Sequence, residues 1–303
     1  MPPPAIIAVF GPTGVGKTAV AIALAERLRR RGEQPVAVSA DALAVYAGLE
    51  ILTGAPTVAE RKRLEHRLVS FVPIDARFSV GQYAQLAHAE IDELLAAGRR
   101  PLVVGGTGLY LRAALTELDL RPPPGPGVRE RWEIALERQG PAGLHRELQR
   151  RAPWAAERVH PGDRHRLVRT LELLEAGQLA RPEGESQLWT QDMRHPTLLA
   201  GLVMDRPHLY ARLDARVDAM VAAGAREQAL RAQAAGASET ARQALGFEEL
   251  LDGDVDAMKR ATRRYAKRQL TWMRKLAAVR LIDATGRAPG DVAAEIDELA
   301  APP

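Results

Sequence analysis

The chain has 303 residues, 46% of them hydrophobic and 26% charged, and no cysteine. That length and balance support a sizeable core in one large domain or two modest ones, which excludes a disordered tail protein and a disulfide-stapled miniprotein. Without cysteine there are no thiolate zinc sites, iron–sulfur clusters or cysteine nucleophiles, and 42 Lys and Arg against 38 Asp and Glu leave a net charge of only +4, so local clustering of charge matters more than the total.

Ala5–Phe10 reads as a buried strand, short and apolar, ended by Gly11 and Pro12. No basic leader or cleavage site is visible, and the longest apolar stretch, Leu198–Met204, is far short of the roughly 18 residues a membrane span needs. A cytoplasmic location without membrane attachment is expected. Thr18–Arg31 has helical spacing, with Ala21, Leu24, Ala25 and Leu28 on one stripe and Gly32 closing it. Pro35–Ser39 is a second buried strand and Leu68–Val72 a third. Gln82–Ala97 is an amphipathic helix, and Pro101–Val104 a fourth strand running into Gly105-Gly106. Alternation of this kind predicts a parallel sheet flanked by helices.

The proline-rich run Arg121–Gly127 reads as a linker, followed by helical patterning without a strand over Val128–Ala176. Strand character returns once, at Leu198–Met204. Helices follow at Arg206–Ala222, Gly224–Ala234 and from Glu248, and a long basic helix runs from Val255 to Val279. The expected organisation is an α/β core over 1–119, a helical insertion over 120–196, and a return to the core with basic helices over 197–303.

Gly11-Pro-Thr-Gly-Val-Gly-Lys-Thr18 satisfies G-x-x-x-x-G-K-[ST] between a strand and a helix. Its residues Gly11, Pro12, Thr13, Gly14, Val15, Gly16, Lys17 and Thr18 can wrap an anion with backbone N–H groups, Lys17 adds a mobile charge, and the Thr18 hydroxyl is placed to ligate Mg²⁺. Two strand ends carry an aspartate that could serve an NTPase, Asp41 and Asp205, whereas the fourth ends in Gly105-Gly-Thr-Gly108 without a carboxylate. Asp205 precedes Arg206-Pro207 and reads as a helix N-cap. Asp41, one strand over from the phosphate loop, is either a carboxylate facing an acceptor or an N-cap for residues from Ala42 onward.

Several further segments accompany that loop: Ser39-Ala-Asp41 with Tyr46, Gly48, Thr53, Gly54 and Pro56; Arg77-Phe-Ser-Val80; Val104-Gly-Gly-Thr-Gly-Leu-Tyr110; Arg166-x-x-Arg169-x-Leu-Glu172; Leu245-Gly-Phe-x-Glu-Leu250; and Thr262-Arg-Arg-Tyr-Ala-Lys-Arg-Gln-Leu-Thr-Trp272. In this order they resemble the bacterial tRNA dimethylallyltransferases, the tRNA isopentenyltransferase family, over nearly the whole chain. The resemblance implies a P-loop NTPase-like core whose loop holds the diphosphate of dimethylallyl diphosphate. It implies transfer of the dimethylallyl group to N6 of the adenosine 3′ to the anticodon in tRNA, with Mg²⁺ as cofactor. By the same resemblance Asp41 is the general base, Thr13 bonds the bridging oxygen, Arg216 contacts the diphosphate, and Thr107 lies near the target adenosine. For Arg216 a solvated helix face, and for Thr107 a strand-end cap, are the plainer alternatives.

Two departures bear on base recognition. The family's Ser-x-Gln after the aspartate is here Ala42-Leu43-Ala44, and its Gln-Arg-x-x-Arg is His165-Arg166-Leu-Val-Arg169. Arg166 and Arg169, which the resemblance implies contact tRNA from the insertion, keep the spacing that places them on one helix face. Lys259–Lys275 holds eight basic residues and no acidic one, interleaved with Tyr265 and Trp272. An apolar stripe of Ala266, Leu270, Met273 and Ala277 would leave most of the cations outside. Arg263, Arg264, Lys267 and Arg268 are therefore candidate contacts to the anticodon arm, unless this is simply a solvated face. A monomer is expected. The competing readings are an ATP-dependent small-molecule kinase, an adenylate isopentenyltransferase acting on free AMP, and a regulatory RNA-binding protein without transfer activity.

Overall fold

Five successive apolar residues, all buried, form β1 (Ile6–Phe10), a composition suited to an inner strand covered on both faces. In this computed structural model, which describes residues 4–122, 124–181, 188, 190–276 and 278–301, the chain runs on as α1 (Lys17–Arg30), β2 (Pro35–Ser39), α2 (Glu50–Thr53), α3 (Val58–Arg63), β3 (His66–Arg67), α4 (Val80–Ala96), β4 (Arg100–Gly105) and α5 (Gly108–Leu115). Next come α6 (Val128–Arg151), α7 (Pro153–Ala156), α8 (Arg164–Glu175) and β5 (Thr197–Val203). The C-terminal part is α9 (Arg206–Ala222), α10 (Ala225–Ala234), α11 (Phe247–Leu251), α12 (Val255–Met273), β6 (Arg280–Asp283) and α13 (Pro289–Ala300). The sheet order is β3-β2-β4-β1-β5-β6, and every pairing is parallel. Among the described residues no helix is long and apolar enough to cross a membrane.

Two compact units result: Met1–Leu118 with Gln187–Pro303, and Asp119–Ser186. The first holds the sheet. Its core joins Ile7, Val9, Leu24, Leu28, Leu102, Leu202 and Ile296. The second is helical without a strand among its described residues, and Leu144, Leu148, Leu167 and Leu171 form its centre. Within it, α6 is broken at Gly140 (φ 67°), just before Pro141. Proline there cannot continue the hydrogen-bond ladder. Residues 190–196 belong to the first unit, where Arg194 and His195 both bond the Asp92 carboxylate.

The structure departs from the sequence reading at four places. The third strand is His66–Arg67, pairing with Ala37 and Val38. The expected Leu68–Val72 is not a strand, because Leu68 and Ser70 take positive φ, and Val72 makes only an isolated bridge to Tyr46. A sixth strand, β6, was not expected. It lies at the sheet edge with only Ile282 buried, so no apolar run announced it. The basic helix stops at Met273 rather than Val279, and Ala278 has a φ of 59°. Finally, Asp41 is not one strand over from the phosphate loop, since β4 pairs with both β1 and β2 and separates them.

Candidate active site

The loop Gly11–Thr18 leaves β1 and enters α1. Gly14 (φ 78°) and Gly16 (φ 102°) hold left-handed conformations open to glycine at little cost. Gly16 is the N-cap and carries no side chain, so the first-turn N–H groups of α1 keep their capacity to bind an anion. The Lys17 ammonium folds back over the loop, donating to the carbonyls of Gly11 and Pro12 at 2.9 Å each. Burial pushes its pKa down to about 8, an effect opposed by the charge of Asp41 and reinforced by that of Arg216. Thr13 donates its backbone N–H to Gln269 Oε1 at 2.8 Å.

Asp41 stands just past β2. Its Oδ1 accepts from the N–H groups of Leu43 (2.9 Å) and Ala44 (3.2 Å). No helix begins at Ala42, so this is a turn-holding contact and not the helix cap that the sequence allowed. Oδ2 accepts no hydrogen bond from the described residues. Around the carboxylate stand Tyr83, Tyr110 and Tyr265. Burial first, and the Asp41 charge as well, raise all three hydroxyls, Tyr265 to about 12, so each remains a neutral donor. Tyr83 donates to Ser39 O at 2.8 Å and its ring lies 4.5 Å from that of Tyr110. The buried Tyr46 hydroxyl has no hydrogen-bond partner among the described residues.

Thr107 occupies the N-cap position of α5, yet its side chain does not cap that helix. Its hydroxyl lies 3.4 Å from the Ala42 N–H and 3.4 Å from the Tyr265 hydroxyl. Arg216 is not on a solvated face, because its half-buried head packs on the backbone of Gly54. Burial lowers its pKa, partly offset by the charges of Asp41 and Glu60. One turn earlier on α9, Arg212 donates to Gly14 O at 3.0 Å. Asp205 is at the N-cap position of α9 as expected, but its carboxylate pairs with His208 Nδ1 at 2.6 Å instead of capping.

On α12 the buried stripe is Met258, Thr262, Ala266, Gln269 and Met273; Ala277 lies outside the described residues. The carboxylates missing from the basic run come from α9. Arg263 is bound by Asp214, and Lys259 by Asp218 at 2.6 Å. Arg263, a candidate RNA contact in the sequence, is thus already ion-paired. Arg268 lies over the Tyr265 ring at 5.5 Å. Arg264 and Lys267 are exposed and make no ion pair among the described residues. In the helical unit Arg166 is exposed beside Asp163, whereas Arg169 donates to the carbonyls of Arg121 (2.6 Å) and Pro122 (3.3 Å) and pairs with the buried Glu172. Arg169 therefore fixes the entry of that unit.

Several site residues went unassigned in the sequence: Gln269, Tyr110, Tyr265, Tyr83 and Arg212. Gln269 had one legible signal, an uncharged amide on the apolar stripe, three residues after Ala266 and four before Met273. The described residues hold no group of three His, Asp or Glu able to bind a metal. The Thr18 hydroxyl has no hydrogen-bond partner among them. That donor set suits a divalent ion held chiefly by phosphate oxygens and water, with one hydroxyl from the protein.

The family model for IPP transferase matches residues 44–276. A tRNA dimethylallyltransferase of Kineococcus radiotolerans is 38% identical, over 97% of this chain and 96% of its own. Another from Thermobifida fusca is 38% identical, over 89% of this chain and 87% of its own. The solved tRNA isopentenylpyrophosphate transferase of Bacillus halodurans superposes with a TM-score of 0.68 at 33% identity, covering 97% of this chain and 94% of that one.

Proposed function

This chain belongs to the IPP transferase family, and from that premise we propose that it transfers a dimethylallyl group from dimethylallyl diphosphate to N6 of the adenosine 3′ to the anticodon of tRNA. The observation that carries this reading is that Lys17, folded over the Gly11–Thr18 loop, and Arg216 both lie near enough to Asp41 for its charge to act on them. Two cations flank the place for a leaving group, and a carboxylate oxygen is open to an incoming amine.

In the reaction the N6 nitrogen attacks the allylic carbon, the carbon–oxygen bond to the diphosphate breaks, and an N6 proton passes to Asp41 Oδ2. An exocyclic adenine amine is a poor base and nucleophile, so removing that proton is where a positioned carboxylate helps. The leaving oxygens gain charge as the bond breaks. Lys17, Arg216 and the N-terminus of α1 neutralise it in a partly dehydrated site. On this reading the Thr13 hydroxyl would bond the bridging oxygen. Mg²⁺, held on the protein side by Thr18, would add charge neutralisation on the same oxygens. The neutral tyrosines around Asp41, and the unpartnered Tyr46 hydroxyl, supply polar edges where Ala42 and Ala44 supply none.

RNA binding is assigned to the exposed Arg264 and Lys267 on α12, with Arg268 stacked on Tyr265. A relative named tRNA dimethylallyltransferase aligns over 97% of this chain, which favours a polynucleotide acceptor over free AMP. The test is to incubate the protein with labelled dimethylallyl diphosphate and tRNA from cells lacking the modification, then digest the product. Label on N6-alkylated adenosine is expected, with ATP inert as a donor. Failure to label tRNA, or consumption of ATP with transfer of a phosphoryl group, overturns the reading.

A further inference from the structure

Gln269 is the buried residue through which α12 touches the phosphate loop. Its Oε1 accepts from Thr13 N–H at 2.8 Å and its Nε2 donates to Gly106 O at 2.8 Å. That pairing fixes the amide orientation, because the reverse would set donor against donor and acceptor against acceptor. Gly106 ends the β4 side of the site as Gly11 ends the β1 side. A Cβ on Gly106 would stand 2.4 Å from Gln269 Nε2, 3.1 Å from Gly11 O and 3.3 Å from Lys17 Nζ. One carboxamide therefore joins the loop after β1 to the loop after β4, beside the Lys17 ammonium. One turn earlier on the same helix, Tyr265 approaches Thr107 at 3.4 Å.

We propose that Gln269 is a positioning residue for the donor: it holds the Thr13 backbone so that the Thr13 hydroxyl and Lys17 face the diphosphate. The proposal rests on the donor-site reading above and deepens it. In a phosphate loop the N–H groups normally turn toward the anion, but here the Thr13 N–H is taken by a side chain. The loop is thus held from outside, and its shape depends on an amide 256 residues away in sequence. The N–H of half-buried Thr13 and the buried carbonyl of Gly106 both lose their partner if the amide is removed.

The test uses two replacements and a pH series. Gln269→Met keeps the length and removes both hydrogen bonds. Gln269→Glu, when protonated, again offers one acceptor and one donor, and when ionised it loses the donor and places a negative charge beside the diphosphate. For Gln269→Met we expect kcat/KM for dimethylallyl diphosphate to fall about tenfold or more at every pH, with the KM for tRNA within about twofold of native. For Gln269→Glu we expect a similar or larger loss at about pH 8 and partial recovery as the pH is lowered toward about 5, where burial lets the carboxyl regain its proton against the pull of the Lys17 charge. Thermal melts run alongside separate site effects from unfolding, since a role confined to stability predicts no pH-dependent rescue of donor kinetics. Donor kinetics within about twofold of native in both replacements, or no more recovery for Gln269→Glu than for Gln269→Met, would overturn the proposal. Binding of inorganic pyrophosphate by calorimetry separates the two levels. A native protein that does not bind it removes the donor-site reading, whereas equal binding by native and Gln269→Met proteins removes only the role of Gln269.

Discussion

The guanidinium of Arg216 occupies the space that a side chain on Gly54 would need: a Cβ built at Gly54 would stand 1.7 Å from Nη2 and 2.8 Å from Cζ. Gly54 also has a φ of 62°, so both backbone and neighbour select against a side chain there. Because the clashing atoms are the far end of a flexible arginine, Gly54→Ala is expected to displace the cation before it disrupts the fold. The predicted result is a loss of about 10²-fold in kcat/KM for the diphosphate donor, matched by Arg216→Ala. The double replacement is expected to add little to either single one, and full additivity would contradict the pairing.

Asp41→Asn preserves the Oδ1 acceptor that holds the N–H groups of Leu43 and Ala44, so the turn is expected to survive. What it removes is the proton acceptor at Oδ2. Single-turnover transfer is expected to slow by about 10²- to 10⁴-fold with tRNA affinity unchanged. A native rate in this variant would remove the general-base role.

Lys17 supplies a pH dependence with a definite sign. Burial lowers its pKa to about 8 from the ordinary 10.5, so the free protein loses this charge as pH rises through about 8. The affinity for dimethylallyl diphosphate is expected to weaken over that range, and binding near its upper end to take up a proton. Between the two pKa values the unfolded chain holds the proton and the folded one does not, so the Lys17 contribution to stability rises with pH there and is lost below about 8. Lys17→Arg, which stays charged, is expected to abolish both the affinity trend and the proton uptake, as measured by calorimetry in buffers of different ionisation enthalpy.

The cations of α12 divide by partner. Reversing Arg264 and Lys267 together to glutamate is expected to weaken tRNA binding and to flatten its salt dependence by about 0.7–0.9 in log–log slope for each phosphate no longer neutralised. Arg263→Ala breaks an ion pair with Asp214 that is partly open to solvent. Its expected effect is a stability loss of no more than about 1 kcal/mol with little change in slope. An equal slope change for Arg263 would return it to the RNA-contacting set.

Gly108 opens α5 directly against Trp272 of α12, where a Cβ would stand 2.1 Å from the indole. Here the obstacle is a large packed ring and not a mobile tip. Gly108→Ala is expected to cost about 1–3 kcal/mol, read as a lowered Tm. An unchanged melting curve would show that α5 and α12 can separate freely.

Local pattern carried much of this architecture. The apolar run Ala5–Phe10, the glycines before Lys17 and the helical stripe after it lie within one contiguous stretch, so strand, loop and helix were readable together. The same was true of β2, β4, β5 and α9. Where a strand lay at an edge with little to bury, as β6 does, or stopped through positive φ at Leu68 and Ser70, composition carried no matching signal. Asp41 stood out because carboxylates at strand ends are informative, but its Asx-type turn depended on backbone geometry.

The sequence alone determined the parallel α/β core, the glycine-rich loop between β1 and α1 and the ordered motifs that resemble the IPP transferase family, because each is encoded in residues near one another along the chain. Only the tertiary structure decided that β4 separates Asp41 from the phosphate loop, that Asp214 claims Arg263, and that Gln269 reaches across 256 positions to Thr13. Hydrogen bonds and ion pairs are short-ranged and directional, so their partners exist only once helices and strands have been placed against one another.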